Sequence, residues 1–424
     1  MRESEHGREH GGREQRAAVP LHAARDIILS SIRPLGTERI GLGAALGRVL
    51  AEDIKAERSI PPLDNSAMDG YAVRSEDVQR VPARLTIVET LPAGVLSTHK
   101  LGPGEAARIL TGAAIPDGAD AVVMQEHTET EPGAVTILKT AARGDHIRRV
   151  GSDVRPDTPI GWLGNVLRPA QLGMFAAVGR TQIRVSLRPR VAILATGDEL
   201  VEPDRPVDGG RIVTSNSYGL YAALQEAGAD PVYLGIARDE PRAIADAFRE
   251  ALRCDAVVST GGVSVGDRDW IKQVLGELGG ELKLWRVLMK PGAPLAFVVL
   301  NERPVFGLPG NPVSTLVTFE QFVRPALLRM TRQRAIFRPV ERAVLAEDYR
   351  KAADRPHFVR VRLAERDGRR IAFSTGDQGS GILLSMVRAE GLAIVPLETT
   401  YLPAGSEVTV QMLQRTDLRD VPGF

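Results

Sequence analysis

Between about residue 188 and residue 330 the chain alternates short apolar runs with helical patterns, and no other feature restricts its fold as strongly. Val191–Ala195 reads as a strand, followed by a helix near 215–227 opened by Ser215 or Asn216 and closed by Gly228. Strands near 232–236 and 256–259 alternate with helices near 241–252 and 268–278. Apolar runs at 284–288, 295–300 and 305–307 precede a last helix from about 312 to 329. A strand followed by a helix must return to the sheet by a crossover. That connection builds a mostly parallel sheet covered on both faces, with ligands at the carboxyl ends of its strands.

The rest of the 424 residues is too much chain for the same core. Leu21, Ala24, Ile27, Ile28 and Ile32 recur at helical spacing ahead of Pro34. Short β-rich runs (Leu85–Val88, Ala121–Met124, Val135–Leu138) are cut by Gly and Pro turns, and a helical pattern at 170–178 follows Pro169. We therefore expect an elongated discontinuous linker domain (19–57 and 146–187) with a β-rich domain (58–145) inserted into it. The α/β domain spans 188–332. From 333 to 424 the helical period is lost, and Phe358–Arg362, Ile371–Phe373, Leu392–Pro396 and Val408–Met412 predict a β-barrel or sandwich. The expected fold class is thus multidomain α/β plus β, with a doubly wound, mostly parallel α/β domain. Residues 1–18 are charged, Gly-bearing and nearly free of large apolar groups, so a disordered tail is expected. His6 and His10 have a metal-ligand spacing, but Gly7, Gly11 and Gly12 oppose the helix it would need.

Composition narrows the chemistry. Lys plus Arg (54) nearly cancels Asp plus Glu (53), and aromatics are only 4%, so neither overall charge nor stacking surface favours nucleic acid or a membrane. The single cysteine, Cys254, excludes an internal disulfide, a CxxC motif and a thiolate zinc cage; before Asp255–Val258 it reads as a small core residue. No run of about 18 apolar residues and no signal-type apolar region is present, which predicts a cytoplasmic protein.

Five segments concentrate Gly, Asp, Thr and Pro. Asp64-Asn65-Ser66-Ala67-Met68-Asp69-Gly70-Tyr71-Ala72 follows Pro61-Pro62 and holds more polar side chains than an Asx-type turn requires. In Thr111–Asp120, Thr111 is placed to donate to an anion, although a plain turn explains the segment equally well. Thr196-Gly197-Asp198-Glu199 directly follows a strand. Ser259–Asp267, with Gly261, Gly262 and Ser264, runs from a strand to the helix holding Asp269. Gly307–Thr315, with Pro309, Gly310, Asn311, Pro312 and Ser314, repeats this logic, and Lys290-Pro291-Gly292 lies upstream. Glycines there let backbone amides approach a phosphate, and Lys290 is the natural point charge for one. Neither GxxxxGK[ST] nor GxGxxG occurs in these loops, so Walker NTPase and dinucleotide dehydrogenase readings lack support.

Asp64, Asp153, Glu199, Asp239 and Asp269 all fall in turns or at element ends. Carboxylates repel a phosphate unless a cation lies between them, so this mixture points to Mg²⁺, a hard ion with oxygen ligands.

Read in order, these segments resemble the molybdopterin molybdenumtransferase family, MoeA in bacteria and the E domain of gephyrin in animals. The resemblance covers roughly 20–415, with Asp64–Ala72 its most specific string; the Gly151-Ser152-Asp153-Val154 turn also fits. It implies four domains, a homodimer with a shared cleft, and transfer of molybdate to adenylylated molybdopterin with Mg²⁺ and release of AMP. It places Glu199, Asp239 and Asp269 at the pterin side as metal ligands, with Lys290 beside the phosphates. Asp64, Thr111 and Asp153 come from the facing subunit, and Asp69 and Ser264 stand behind these. Arg286 departs from the expected lysine in Leu284–Lys290, keeping charge but changing geometry to a fork. The competing expectations are a molybdopterin adenylyltransferase, which the inserted and C-terminal domains oppose, a tungstate-specific paralogue, and a non-enzymatic scaffold. Transient contact with the adenylyltransferase is expected.

Overall fold

A computed structural model describes residues 18–262 and 270–413. His6, His10 and nearly all of the expected tail lie outside the described residues, as do Ser264 and Asp269. The chain divides into two compact units. One runs up to Thr37 and resumes at Ser186; the other is Glu38–Val185.

The first unit is organised by a seven-stranded sheet. Asp230–Ala237, Arg190–Thr196, Ala256–Thr260 and Arg303–Leu308 lie side by side and parallel. Along Arg190–Thr196 the side chains alternate between two cores. Val191 and Ile193 meet Leu220, Leu224 and Val313 on one face, while Ala192 and Leu194 meet Ile244, Phe248 and Val274 on the other. Burial on both faces is why these strands read as unbroken apolar runs. Cys254 is buried in the second of these cores, as its setting predicted.

The sheet is not parallel throughout. Pro294–Leu300 pairs antiparallel with Arg303–Leu308, and Glu281–Leu288 antiparallel with Pro294–Leu300. The physical reason is the link Asn301-Glu302, with φ of 50° and 64°: two residues with positive φ make a hairpin, never a crossover. Val19–Pro20 completes the edge, parallel to Glu281–Leu288. It delivers the helix Leu21–Ser31 onto the sheet, where Ala24 and Ile28 join the first core. That placement differs from the expectation that all of 19–57 forms the linker domain.

The last helix of the α/β part spans Pro312–Thr318 and Arg324–Met330 with a π-helical turn, Phe319–Val323, between them. Pro325 accounts for it, because a proline lacks the amide for the carbonyl four residues back and its ring collides with it. The barrel-or-sandwich expectation resolves as a closed barrel of Val340–Leu345, Arg369–Ser374, His357–Arg366, Gly391–Val395 and Glu407–Met412.

In the second unit Ala121–Met124, Gly70–Val73, Glu105–Ile109, Ala83–Leu91, Ala134–Ile137 and Thr128–Glu131 form a six-stranded, largely antiparallel sheet. A separate core of Leu50, Ile54, Leu167, Phe175 and Val185 carries the helix Pro169–Ala177.

Candidate functional site

The carboxyl ends of the parallel strands open on a cavity of about 590 Å³. Its walls come from the turn after each strand: Thr196 and Glu199, then Thr260, Gly261 and Gly262, then Pro309, Gly310, Asn311, Pro312 and Ser314. Leu200 and the segment Ile212–Asn216 close another side. Gly261 has φ of +89°, and a side chain there would place its Cβ 2.4 Å from the Thr196 carbonyl oxygen. Only glycine lets these two strand ends come together. Asn216 fastens the rim, its Nδ2 donating to Thr260 Oγ1 at 3.0 Å and to the Gly310 carbonyl at 2.7 Å. Thr260 and Thr315 donate to the Pro309 carbonyl. Thr196 differs from these: it is 2% exposed, and its hydroxyl oxygen is buried with no partner among the described residues. A buried hydroxyl left this way is costly unless a ligand completes it.

Asp239 and Lys290 do not line this cavity. Asp239 follows the strand beside Arg190–Thr196, and its backbone amide donates to Asp198 Oδ1 at 3.1 Å, so it stands next to the turn bearing Glu199. Among the described residues no group of three His, Cys, Asp or Glu is placed to hold a metal. The described donors, two carboxylates and the Thr196 hydroxyl, are all oxygens, which fits a hard cation.

Lys290 is exposed, and its backbone is stitched to the barrel: its amide donates to the Pro356 carbonyl and its carbonyl accepts from Phe358. Next to it His357 is buried, its Nδ1 2.9 Å from Tyr349 Oη. Burial, then the nearby charge of Lys290, lowers the His357 pKa from 6.5 to about 4, so the ring is neutral at pH 7. Three residues along the strand, Arg360 is 1% exposed and donates to Ser385 Oγ and the Gly379 carbonyl, both at 3.1 Å. No carboxylate is paired with it among the described residues. The adjacent Ser380 accepts from Asn311 and Val313, which brings this buried cation close to the cavity rim. Sequence reasoning missed Arg360; an arginine alternating with Val359 and Val361 in an apolar strand was the available signal. Asn216 was read as a helix opener, and its tethering role had no sequence signal.

The second unit gathers a cluster of its own. Segments 60–70, 111–115 and 147–154 pair through Asn65–Ser66 with Ile147–Arg148 and through Ile60 with Val154. Asp64 accepts from the Val150 amide and from Arg149 Nη1, each at 2.7 Å. The Val150 amide and then Arg149 hold its carboxyl below the usual range. Asp69 Oδ1 accepts from the Thr111 amide at 2.6 Å and its hydroxyl at 2.7 Å, which lowers the Asp69 carboxyl likewise. The one Thr111 hydroxyl proton is thus directed to Asp69 rather than outward to an anion. Asp153 is exposed in the neighbouring turn, its amide bonded to the Ile60 carbonyl.

A doubly wound α/β domain with a cavity at its strand ends, attached to a closed barrel, defines a multidomain α/β plus β protein. Comparison with known proteins makes this specific. Residues 19–179 match the MoeA N-terminal region (domain I and II), 192–329 a probable molybdopterin binding domain, and 342–413 the MoeA C-terminal region (domain IV). The chain is 39% identical to the molybdopterin molybdenumtransferase of Nostoc sp., over 93% of this chain and 94% of that one. It is 33% identical to the Bacillus subtilis enzyme of the same name, over 96% and 97%. The crystal structure of a molybdopterin biosynthesis MoeA protein from Pyrococcus horikosii superposes with a TM-score of 0.82 at 33% identity, covering 94% of this chain and all of that one. The chain belongs to the molybdopterin molybdenumtransferase family.

Proposed function

We propose that this chain transfers molybdate to adenylylated molybdopterin and releases AMP. The observation that carries this reading, beside family membership, is the strand-end cavity with the Glu199 carboxylate on its wall and a Thr196 hydroxyl that has no partner among the described residues. The glycine and proline turns at Gly261, Gly262 and Pro309–Pro312 let backbone groups approach phosphates. Lys290, exposed at the barrel seam, and Arg360, a buried guanidinium with no ion pair among the described residues, favour oxyanions. We assign Mg²⁺ to Glu199 and Asp239, with Asp269 as the third candidate; when bound, it offsets phosphate charge as a Lewis acid. No helix among the described residues is long and apolar enough to cross a membrane. A homodimer, transient contact with the adenylyltransferase and a cytoplasmic location belong to the same proposal.

The test is AMP release from adenylylated molybdopterin by wild type and Glu199→Ala, with molybdate and Mg²⁺. Molybdate-dependent release is expected from wild type and a loss of about 10²-fold or more from the variant. Absence of release by folded wild type that still binds the pterin would overturn the reading. Tungstate in place of molybdate distinguishes a tungstate-specific paralogue, and sedimentation of the purified chain tests the dimer.

A further inference from the structure

One side of the cavity is a flap. Leu200–Val201 and Ile212–Val213 pair in parallel, and the segment between them loops outward. The Ile212 amide donates to the Glu199 carbonyl at 2.8 Å and the Thr214 amide to the Val201 carbonyl at 3.0 Å. The backbone at Glu199 is therefore held by the flap. A two-rung ladder of this kind is too short to be stable by itself.

Side chains just past the second rung supply the missing restraint. Glu202, directly after Val201, accepts from Tyr233 Oη at 2.7 Å and from Tyr218 Oη at 3.1 Å. The two tyrosine rings lie 6.0 Å apart. Thr214, directly after the second rung, has its hydroxyl 2.7 Å from that of Ser217, and both residues are buried. A carboxylate only accepts, so Tyr233 and Tyr218 give their protons to Glu202. The start of the 202–214 segment is thus tied to the strand Asp230–Ala237 through Tyr233, and its end to the helix Ser215–Glu226 through Ser217.

We propose that Glu202, Tyr233 and Ser217 form a clamp that fixes the flap and thereby positions the cavity wall at Glu199 and Ile212 for the pterin nucleotide. The role in substrate affinity rests on the molybdenumtransferase reading; the role in holding the flap does not. These are positioning residues, since the clamp acts through the flap backbone. Tyr218 reinforces Glu202 from the exposed side.

The experiment uses the full chain with Glu202→Ala, Glu202→Gln and Tyr233→Phe. Amide exchange at Ile212 and Thr214 is read first, without substrate, and KM and kcat for adenylylated molybdopterin are read from AMP release. Glu202→Ala is expected to speed exchange at both amides about tenfold and to raise KM about tenfold, with kcat within about twofold. Glu202→Gln keeps an acceptor for Tyr233 and should recover most of both effects. Unchanged exchange, or a fall in kcat at constant KM, overturns the clamp. If wild type releases no AMP, the transferase reading fails, while the exchange result still decides whether the clamp exists. Should Glu202→Ala not fold, Tyr233→Phe, which removes one hydroxyl, carries the same comparison.

Discussion

The cavity at the strand ends and the cluster around Asp64 use similar residues in opposite ways. In the second unit the Asp64 and Asp69 carboxylates are engaged by backbone amides, Arg149 and the Thr111 hydroxyl, and both are held in the ionised form. At the cavity, among the described residues, the Thr196 hydroxyl is buried without a partner and the Arg360 guanidinium beside the rim forms no ion pair. Groups answered within the protein hold geometry. Groups left unanswered in a buried setting are where a ligand gains most, because it supplies bonds the fold omits.

The largest effect expected from this contrast is in the glycine turns. Gly261→Ala forces a side chain onto a φ of +89° and against the Thr196 carbonyl, backbone against backbone. A cost of about 3 kcal/mol or more should follow, with loss of pterin binding. Gly112, beside Thr111, also has positive φ, +83°, but its nearest neighbour would be Ala93 Cβ at 3.8 Å. Gly112→Ala should therefore cost only about 1 kcal/mol. Chemical denaturation of both variants measures the difference; equal losses would mean the strand ends can separate without penalty.

Acid should divide the two regions next. The His357 pKa is lowered from 6.5 to about 4, so the unfolded chain binds the extra proton between those values. Stability from the neutral ring is complete above pH 6.5 and is lost as pH falls toward 4, on the order of 2 kcal/mol. Asp64 works at lower pH: its contribution is present above its ordinary value of 3.8 and disappears as pH falls through the lowered folded value. The barrel seam at Lys290 should thus loosen before the Asp64 cluster. His357→Gln should flatten the slope between pH 6.5 and 4 in urea unfolding, and Asp64→Asn should leave that slope intact.

Thr196→Val and Thr111→Val test the contrast with one methyl-for-hydroxyl change each. Thr196→Val removes an unpartnered buried hydroxyl and should stabilise the fold by about 1 kcal/mol while weakening pterin-nucleotide binding about tenfold. Thr111→Val breaks the bond to Asp69 and should destabilise by about 1 kcal/mol. Calorimetry together with ligand titration reads both; a destabilising Thr196→Val would show that its hydroxyl has a structural duty.

The fold was largely legible because strand–helix alternation and doubly buried runs leave few topologies. Asn301-Glu302 was harder: asparagine suits such a turn, but glutamate stands where glycine usually follows, so only the backbone showed that the strand after it turns back. Within the site, Glu199, Gly261 and Pro309–Pro312 announced themselves by following strands, and they line the cavity. Lys290 did as well, yet its backbone pairs with the barrel and its side chain does not reach the lining. Asn216, Glu202, Tyr233 and Arg360 act through residues far away in sequence, and no local spacing encodes such partners.

The smallest effect should come from Arg286. It stands on Glu281–Leu288 opposite Pro294, and Pro294 lines the cavity, so its backbone borders that wall. Among the described residues no hydrogen bond or ion pair fixes its guanidinium fork. Arg286→Lys keeps the charge and removes only the fork, so KM for molybdate should change by less than about threefold, under about 0.7 kcal/mol. A tenfold rise would mean that the fork grips the oxyanion in two places. In that case Arg286 would belong with Thr196 among the groups that a ligand satisfies.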